Sequence, residues 1–145
     1  MNKGDIIYVS VVRKSEFGPR HYGVYDGPRG IYHYSGENLN YVYVQFSSME
    51  EFAQGGHVEV DHQYKKRFTP TEIIERATEK IGSELGGYHL IDNNCEHFAT
   101  WCVTGKGQSR QIDLAPAINH HYPIKRMKEL FSKIYLRLRQ MKARE

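Results

Sequence analysis

The reactive residue types of this chain gather around Cys95. The run Asp92-Asn-Asn-Cys-Glu-His97 reads as a helix start, with Asn94 at the N-cap and Cys95 in the first turn. A thiol there faces backbone N–H groups that have no intrahelical partner, and the positive end of the helix dipole. Both favour the thiolate, and comparable sites lower a cysteine pKa from ~8.5 to roughly 3.5–7.5. The same backbone amides, at Asn94 and Cys95, suit an oxyanion developing beside the sulfur. These residues are equally consistent with a small buried side chain at a helix start. Cys102 lies seven residues on, about 10.5 Å along a helix axis. Disulfides need Cα atoms within roughly 7 Å, so both cysteines are expected as free thiols, Cys102 as a packing residue. Free thiols agree with a reducing compartment.

A nucleophilic cysteine needs a base, and the base needs a group to orient it. Of eight histidines, two stand out by position. If Asp26-Gly-Pro-Arg-Gly30 closes a hairpin, Tyr25 pairs with Ile31, Gly23 with His33 and His21 with Ser35. Side chains alternate along a strand, so His21 and His33 then share one face as diagonal neighbours, their Cβ atoms somewhat under about 7–8 Å apart. Gly23 beside them leaves room for an imidazole or a substrate. A register slip of one residue would separate the pair. Geometry alone equally admits an aromatic-rich face that happens to include imidazoles. His97, about 200° around the helix from Cys95, reads as a structural hydrogen-bonding residue. Glu96 reads as a first-turn acid that complements the dipole. A zinc site from Cys95, His97 and His89 would have ligands on opposite faces and lacks a Cys-x-x-Cys pair, so no metal and no cofactor is expected. His57, His62, His120 and His121 read as surface or loop residues.

The elements that must carry these groups change character along the chain. Gly4 to Arg13, His21 to Tyr25, Ile31 to Ser35, Asn40 to Phe46 and His57 to Asp61 read as strands, with a further candidate at Tyr64 to Phe68. Ser47 to Phe52 reads as a single capped helical turn ended by Gly55-Gly56. Thr69-Pro-Thr-Glu72 is a strong helix start, with Ile73, Ile74, Ala77 and Ile81 as its buried stripe and Gly86-Gly87 as its stop. A second helix runs from near Asn94 to about Val103. Strands followed by helices predict an α+β domain, a small antiparallel sheet of four to six strands packed against helices.

His21-Tyr-Gly-Val-Tyr25, Tyr32-His33-Tyr34, and Asn93-Asn-Cys-Glu-His-Phe98 followed by Ala99-Thr-Trp-Cys-Val-Thr-Gly105 resemble the lecithin:retinol acyltransferase-like (LRAT) domain. That domain belongs to the circularly permuted papain-like, or NlpC-type, cysteine enzymes. The resemblance runs from about Lys3 to Gln111. It implies Cys95 as nucleophile, His21 as general base and His33 as the polar third member. It also implies the fold, with the cysteine opening a helix packed on the sheet that bears the histidines. The chemistry implied is acyl transfer: attack on an ester carbonyl, a thioester, then transfer to an amine, alcohol or water. Glycerophospholipids are the typical donors.

The chain has 145 residues, 39% hydrophobic and 26% charged, and a net charge of +3. That suits one folded domain rather than two cores or a disordered chain. No apolar run approaches the ~20 residues of a membrane span, and the N-terminus lacks the pattern of a signal peptide. A cytoplasmic protein is expected. The domain is taken as residues 1–115, with a linker and a C-terminal basic amphipathic helix in 116–145. Residues 122–145 hold eight basic and two acidic side chains, a net +6 that leaves −3 on the other 121 residues. Ile124, Met127, Phe131, Ile134, Leu138 and Met141 recur at spacings of three and four, an apolar stripe among the basic residues. This tail could dock on the body, form a homodimer, or lie on the inner face of a membrane with its basic side chains on anionic headgroups; the last is favoured. Nucleic acid is disfavoured, because the aromatics sit in the acidic body rather than among basic residues. Two other functions remain open: a cysteine peptidase or amidase on the same scaffold, and a non-enzymatic viral-type H-box/NC interaction module.

Overall fold

A computed structural model describes residues 1–10, 20–36, 42–82 and 95–108. The β-branched and tyrosine-rich runs form strands β1 (Ile6–Ser10), β2 (Arg20–Tyr25), β3 (Ile31–Gly36), β4 (Val42–Ser47) and β5 (Val58–Asp61). They make one five-stranded antiparallel sheet in the order β4-β3-β2-β1-β5. The hairpin closes as its loop sequence predicts. A 3-10 turn spans Gly27–Arg29, Asp26 N–H donates to the Gly30 carbonyl at 2.9 Å, and Tyr25 pairs with Ile31. Gly30 must be glycine twice over: its φ is +150°, and a Cβ there would stand 2.4 Å from the Ser47 carbonyl oxygen.

Period-two alternation gives the sheet two different faces. Ile6, Tyr22, Val24, Tyr32, Tyr34 and Val44 pack against helices α2 (Pro70–Glu79) and α3 (Cys95–Thr104), through Ile73, Ala77, Phe98, Ala99 and Val103. Ile7, Val9 and Ile31 pack against Phe52 of the short helix α1 (Met49–Ala53). The expected α+β architecture is therefore present, with helices on both faces. Helices α1 and α2 each start at a side-chain cap. Ser48 Oγ accepts from Glu51 N–H at the head of α1, and Thr69 and Glu72 close a capping box at the head of α2.

Two expected elements differ. Tyr64 to Phe68 is not a strand. Its polar groups find partners elsewhere: Arg67 N–H donates to the Val103 carbonyl, Lys66 pairs with Asp5, and the Phe68 ring lies against the Arg76 guanidinium. Helix α2 stops at Glu79, before Ile81, which is 48% exposed instead of buried. The cause is tertiary. Gly82 takes φ +78° and donates its N–H to the Val44 carbonyl at 2.8 Å, which ties the helix end to β4. Arg76 then fastens α2 to α3. It donates to the Trp101 and Cys102 carbonyls and lies between the Phe68 and Trp101 rings, at 4.2 and 4.0 Å. Gly86-Gly87, the N-cap position Asn94, residues 14–19 and the whole 116–145 segment lie outside the described residues.

Candidate active site

The path to the thiol starts in the β2 backbone. Tyr25 N–H donates to the Asp5 carbonyl and Tyr25 C=O accepts from Gly4 N–H, so the odd-numbered peptide groups of β2 face the β1 side. Successive residues alternate, and the groups of Arg20, Tyr22 and Val24 therefore face β3. The β2–β3 ladder pairs only Val24 with Tyr32 and Tyr25 with Ile31. Past Gly23 the two strands part, and the start of α3 takes the place of the missing rungs. Cys95 Sγ lies 3.8 Å from the Arg20 carbonyl oxygen, and Tyr22 N–H is directed at the sulfur. The thiol thus sits on the vacated flank of β2, against the peptide groups on either side of His21.

The histidines project from the opposite parity of the strands. His21 Nε2 and His33 Nδ1 are 2.8 Å apart, and their rings meet edge to face with centroids at 5.0 Å. The Phe52 ring packs on both, at 5.1 Å from His21 and 5.3 Å from His33. The diagonal juxtaposition inferred from the hairpin register is present in the structure. The space expected beside Gly23 is not. A Cβ at Gly23 would come within 2.5 Å of Ile31 Cγ2 and 2.9 Å of Phe52 Cε2, so glycine there admits the floor of the histidine pocket rather than a substrate. The thiol's own hydrogen bond goes to the Arg20 carbonyl rather than to either ring.

Burial governs the charges. His21, Cys95 and His33 are all nearly inaccessible to solvent. Desolvation holds the His21 imidazole down to about 4 and, with the neighbouring His21, holds His33 well below the ordinary histidine value. The Cys95 thiol is pushed up to about 12. Here the structure reverses the sequence expectation. The amides of Tyr22, Glu96 and Cys95 do stabilise the thiolate, but the loss of solvent outweighs them. At neutral pH the site holds a thiol and two neutral imidazoles. Cys102 is free, buried and likewise pushed up by desolvation, as a packing residue should be.

Two residues, Glu96 and Ser47, have partners that the sequence does not reveal. Glu96 is completely buried and accepts a hydrogen bond from Tyr64 Oη at 2.8 Å, so it does more than complement the helix dipole. Nothing in the sequence links positions 64 and 96. Ser47, read only as part of a helical turn, ends β4 with its Oγ 2.8 Å from His33 Nε2. Of the other histidines, His57 and His62 are exposed as expected, and His97 is half-buried. His89, His120 and His121 lie outside the described residues. Among the described residues no three histidine, cysteine or acidic side chains are grouped to hold a metal ion, and no helix is long and apolar enough to cross a membrane.

A thiol at the head of a helix, docked on a sheet that carries a buried histidine pair, is an arrangement able to attack a carbonyl through sulfur. Residues 1–108 match the lecithin retinol acyltransferase family model, and the chain belongs to that family. It is 35% identical to bovine lecithin retinol acyltransferase over 74 residues, 48% of this chain and 31% of that protein. The human enzyme is equally similar over the same shares. Human phospholipase A and acyltransferase 4 is 39% identical over 57 residues, 39% of this chain and 33% of its own length. The chain thus spans about a third of the length of these relatives.

Proposed function

We propose that this protein is a thiol-dependent acyltransferase or phospholipase A-type acyl hydrolase acting on a phospholipid or related lipid ester. The names of its relatives support the substrate class. The observation that carries the mechanism is the thiol of Cys95 held against the β2 peptide groups on either side of His21, whose ring is hydrogen-bonded to His33. In this reading His21 removes the Cys95 proton as the sulfur attacks the ester carbonyl. The tetrahedral oxyanion is assigned to the backbone amides of Asn94 and Cys95. It collapses with loss of the alkoxide, which takes the proton back from His21, and leaves an acyl thioester on Cys95. Water or an acceptor amine or alcohol then gives its proton to His21, attacks the thioester and releases the free thiol. Well-placed base catalysis is worth ~10²–10⁴ in rate.

The basic stripe of residues 123–145 supports docking on an anionic membrane surface, as a cytoplasmic protein held peripherally where its substrate lies. The permuted papain-like fold supplies the expected frame for a cysteine opening a helix against a histidine-bearing sheet. The test is intact-mass spectrometry of the protein mixed with a short-chain phosphatidylcholine and quenched in acid. The expected result is an adduct of one acyl mass that hydroxylamine removes and that Cys95→Ala lacks. A correctly folded protein that forms no adduct and turns over no lipid ester rules the reading out, and a cysteine peptidase or a binding module then takes its place.

A further inference from the structure

Three odd-face residues lie on one diagonal across three neighbouring strands: His21 on β2, His33 on β3 and Ser47 on β4. Tyr25 pairs with Ile31 and Ile31 with Ser47, a register that sets His33 diagonal to both of its partners. The contacts are continuous, His21 Nε2 to His33 Nδ1 at 2.8 Å and His33 Nε2 to Ser47 Oγ at 2.8 Å. Every ring nitrogen but one is thereby engaged in the chain, and the one left over is His21 Nδ1. The place of Ser47 is built rather than incidental. Gly30, where a Cβ would meet the Ser47 carbonyl, lets the end of β4 close on the hairpin, and Ser48 caps the helix whose Phe52 floors both imidazoles.

A neutral relay of this kind can run in two directions, and only one suits a base. If Ser47 donates to His33 Nε2, then His33 carries its proton on Nδ1 and donates to His21 Nε2, and His21 Nδ1 holds the remaining proton. If Ser47 accepts, His33 is protonated on Nε2, His21 is protonated on Nε2, and His21 Nδ1 presents a lone pair. We propose that Ser47 is a positioning residue, the terminal acceptor of a His21–His33–Ser47 relay that fixes the base-competent tautomer of His21. This rests on the reading of His21 as the general base. When His21 takes the thiol proton on Nδ1, its Nε2–H stays bonded to His33 and the relay need not shift.

The test is ¹⁵N NMR of ring nitrogens in the full-length protein at neutral pH, assigned with His21→Gln and His33→Gln, alongside ester turnover. The wild-type spectrum is expected to show both rings protonated on Nε2. Ser47→Ala should mix the tautomers and lower kcat roughly 10- to 100-fold with KM unchanged, the scale of one buried donor left unsatisfied. Ser47→Thr, which keeps the hydroxyl, should restore both readouts. Wild-type rings protonated on Nδ1, or a Ser47→Ala spectrum identical to wild type, overturns the relay. The spectra need no substrate, so the expected shifts in a protein that forms no thioester would count against the acyl-transfer reading while upholding the tautomer assignment.

Discussion

Cys95 and His21 have been moved in opposite directions by one cause. Burial disfavours any charge, so it raises the thiol to about 12 and lowers the imidazole to about 4. The proton therefore stays on sulfur in the resting protein, and in the proposed mechanism its transfer belongs to the step in which the sulfur attacks. The same burial makes stability depend on pH. An unfolded chain protonates its histidines near pH 6.5, whereas folded His21 resists protonation until about 4 and His33 is depressed in the same direction. Between those values the unfolded state binds more protons, so stability is full above about pH 6.5 and falls as the pH drops toward 4. The slope is about 1.4 kcal/mol per pH unit for each histidine that stays neutral. Urea unfolding measured from pH 7 to pH 4.5 should show this loss; a midpoint independent of pH across that window would contradict neutral buried imidazoles.

At the level of the elements, the site depends on how closely α1 can approach the sheet. Phe52 reaches both imidazoles only because β2 carries no side chain at Gly23, where an added Cβ would lie 2.5 Å from Ile31 Cγ2 and 2.9 Å from Phe52 Cε2. Gly23→Ala should therefore cost roughly 1–3 kcal/mol of stability. It should also lower ester turnover further than that loss explains, because the displaced ring is the floor of the histidine pair. Denaturant unfolding and turnover on the same preparation check both, and wild-type values in each would show that the packing tolerates the methyl group. The hairpin itself was readable from its loop, since Asp26 to Gly30 sets the Tyr25–Ile31 pairing that brings the histidines together. The length of α2 was not, because its end is set by a hydrogen bond from Gly82 to a strand nearly forty residues earlier.

For the whole molecule, charge separates the parts. The tail of net +6 follows a body of net −3, and a cationic apolar stripe gains about 1 kcal/mol per basic residue near an anionic surface. Deleting residues 123–145 should weaken sedimentation with vesicles containing phosphatidylserine, and the deficit should shrink as salt is raised, because salt screens the full-length protein. Hydrolysis of a soluble short-chain ester should be unaffected. Equal vesicle binding by the truncated protein would remove the membrane role, and a change from dimer to monomer on truncation would assign the tail to self-association.

The sequence determined what local rules can decide: the strand alternation, the capping box at Thr69, the Ser48-led turn, the hairpin and the cysteine that opens a helix. Each depends on residues within a few positions of one another, and the motifs around His21, His33 and Cys95 sufficed to identify the family. Tertiary structure alone decided the electrostatics. Whether a helix-terminal thiol is a thiolate depends on how much water reaches it, and that is set by α3 closing the opening where β3 leaves β2. The same holds for Ser47 beside His33 and for Tyr64 on Glu96. These partners lie 14 and 32 residues apart in sequence, and only the packed sheet and helices bring them into contact.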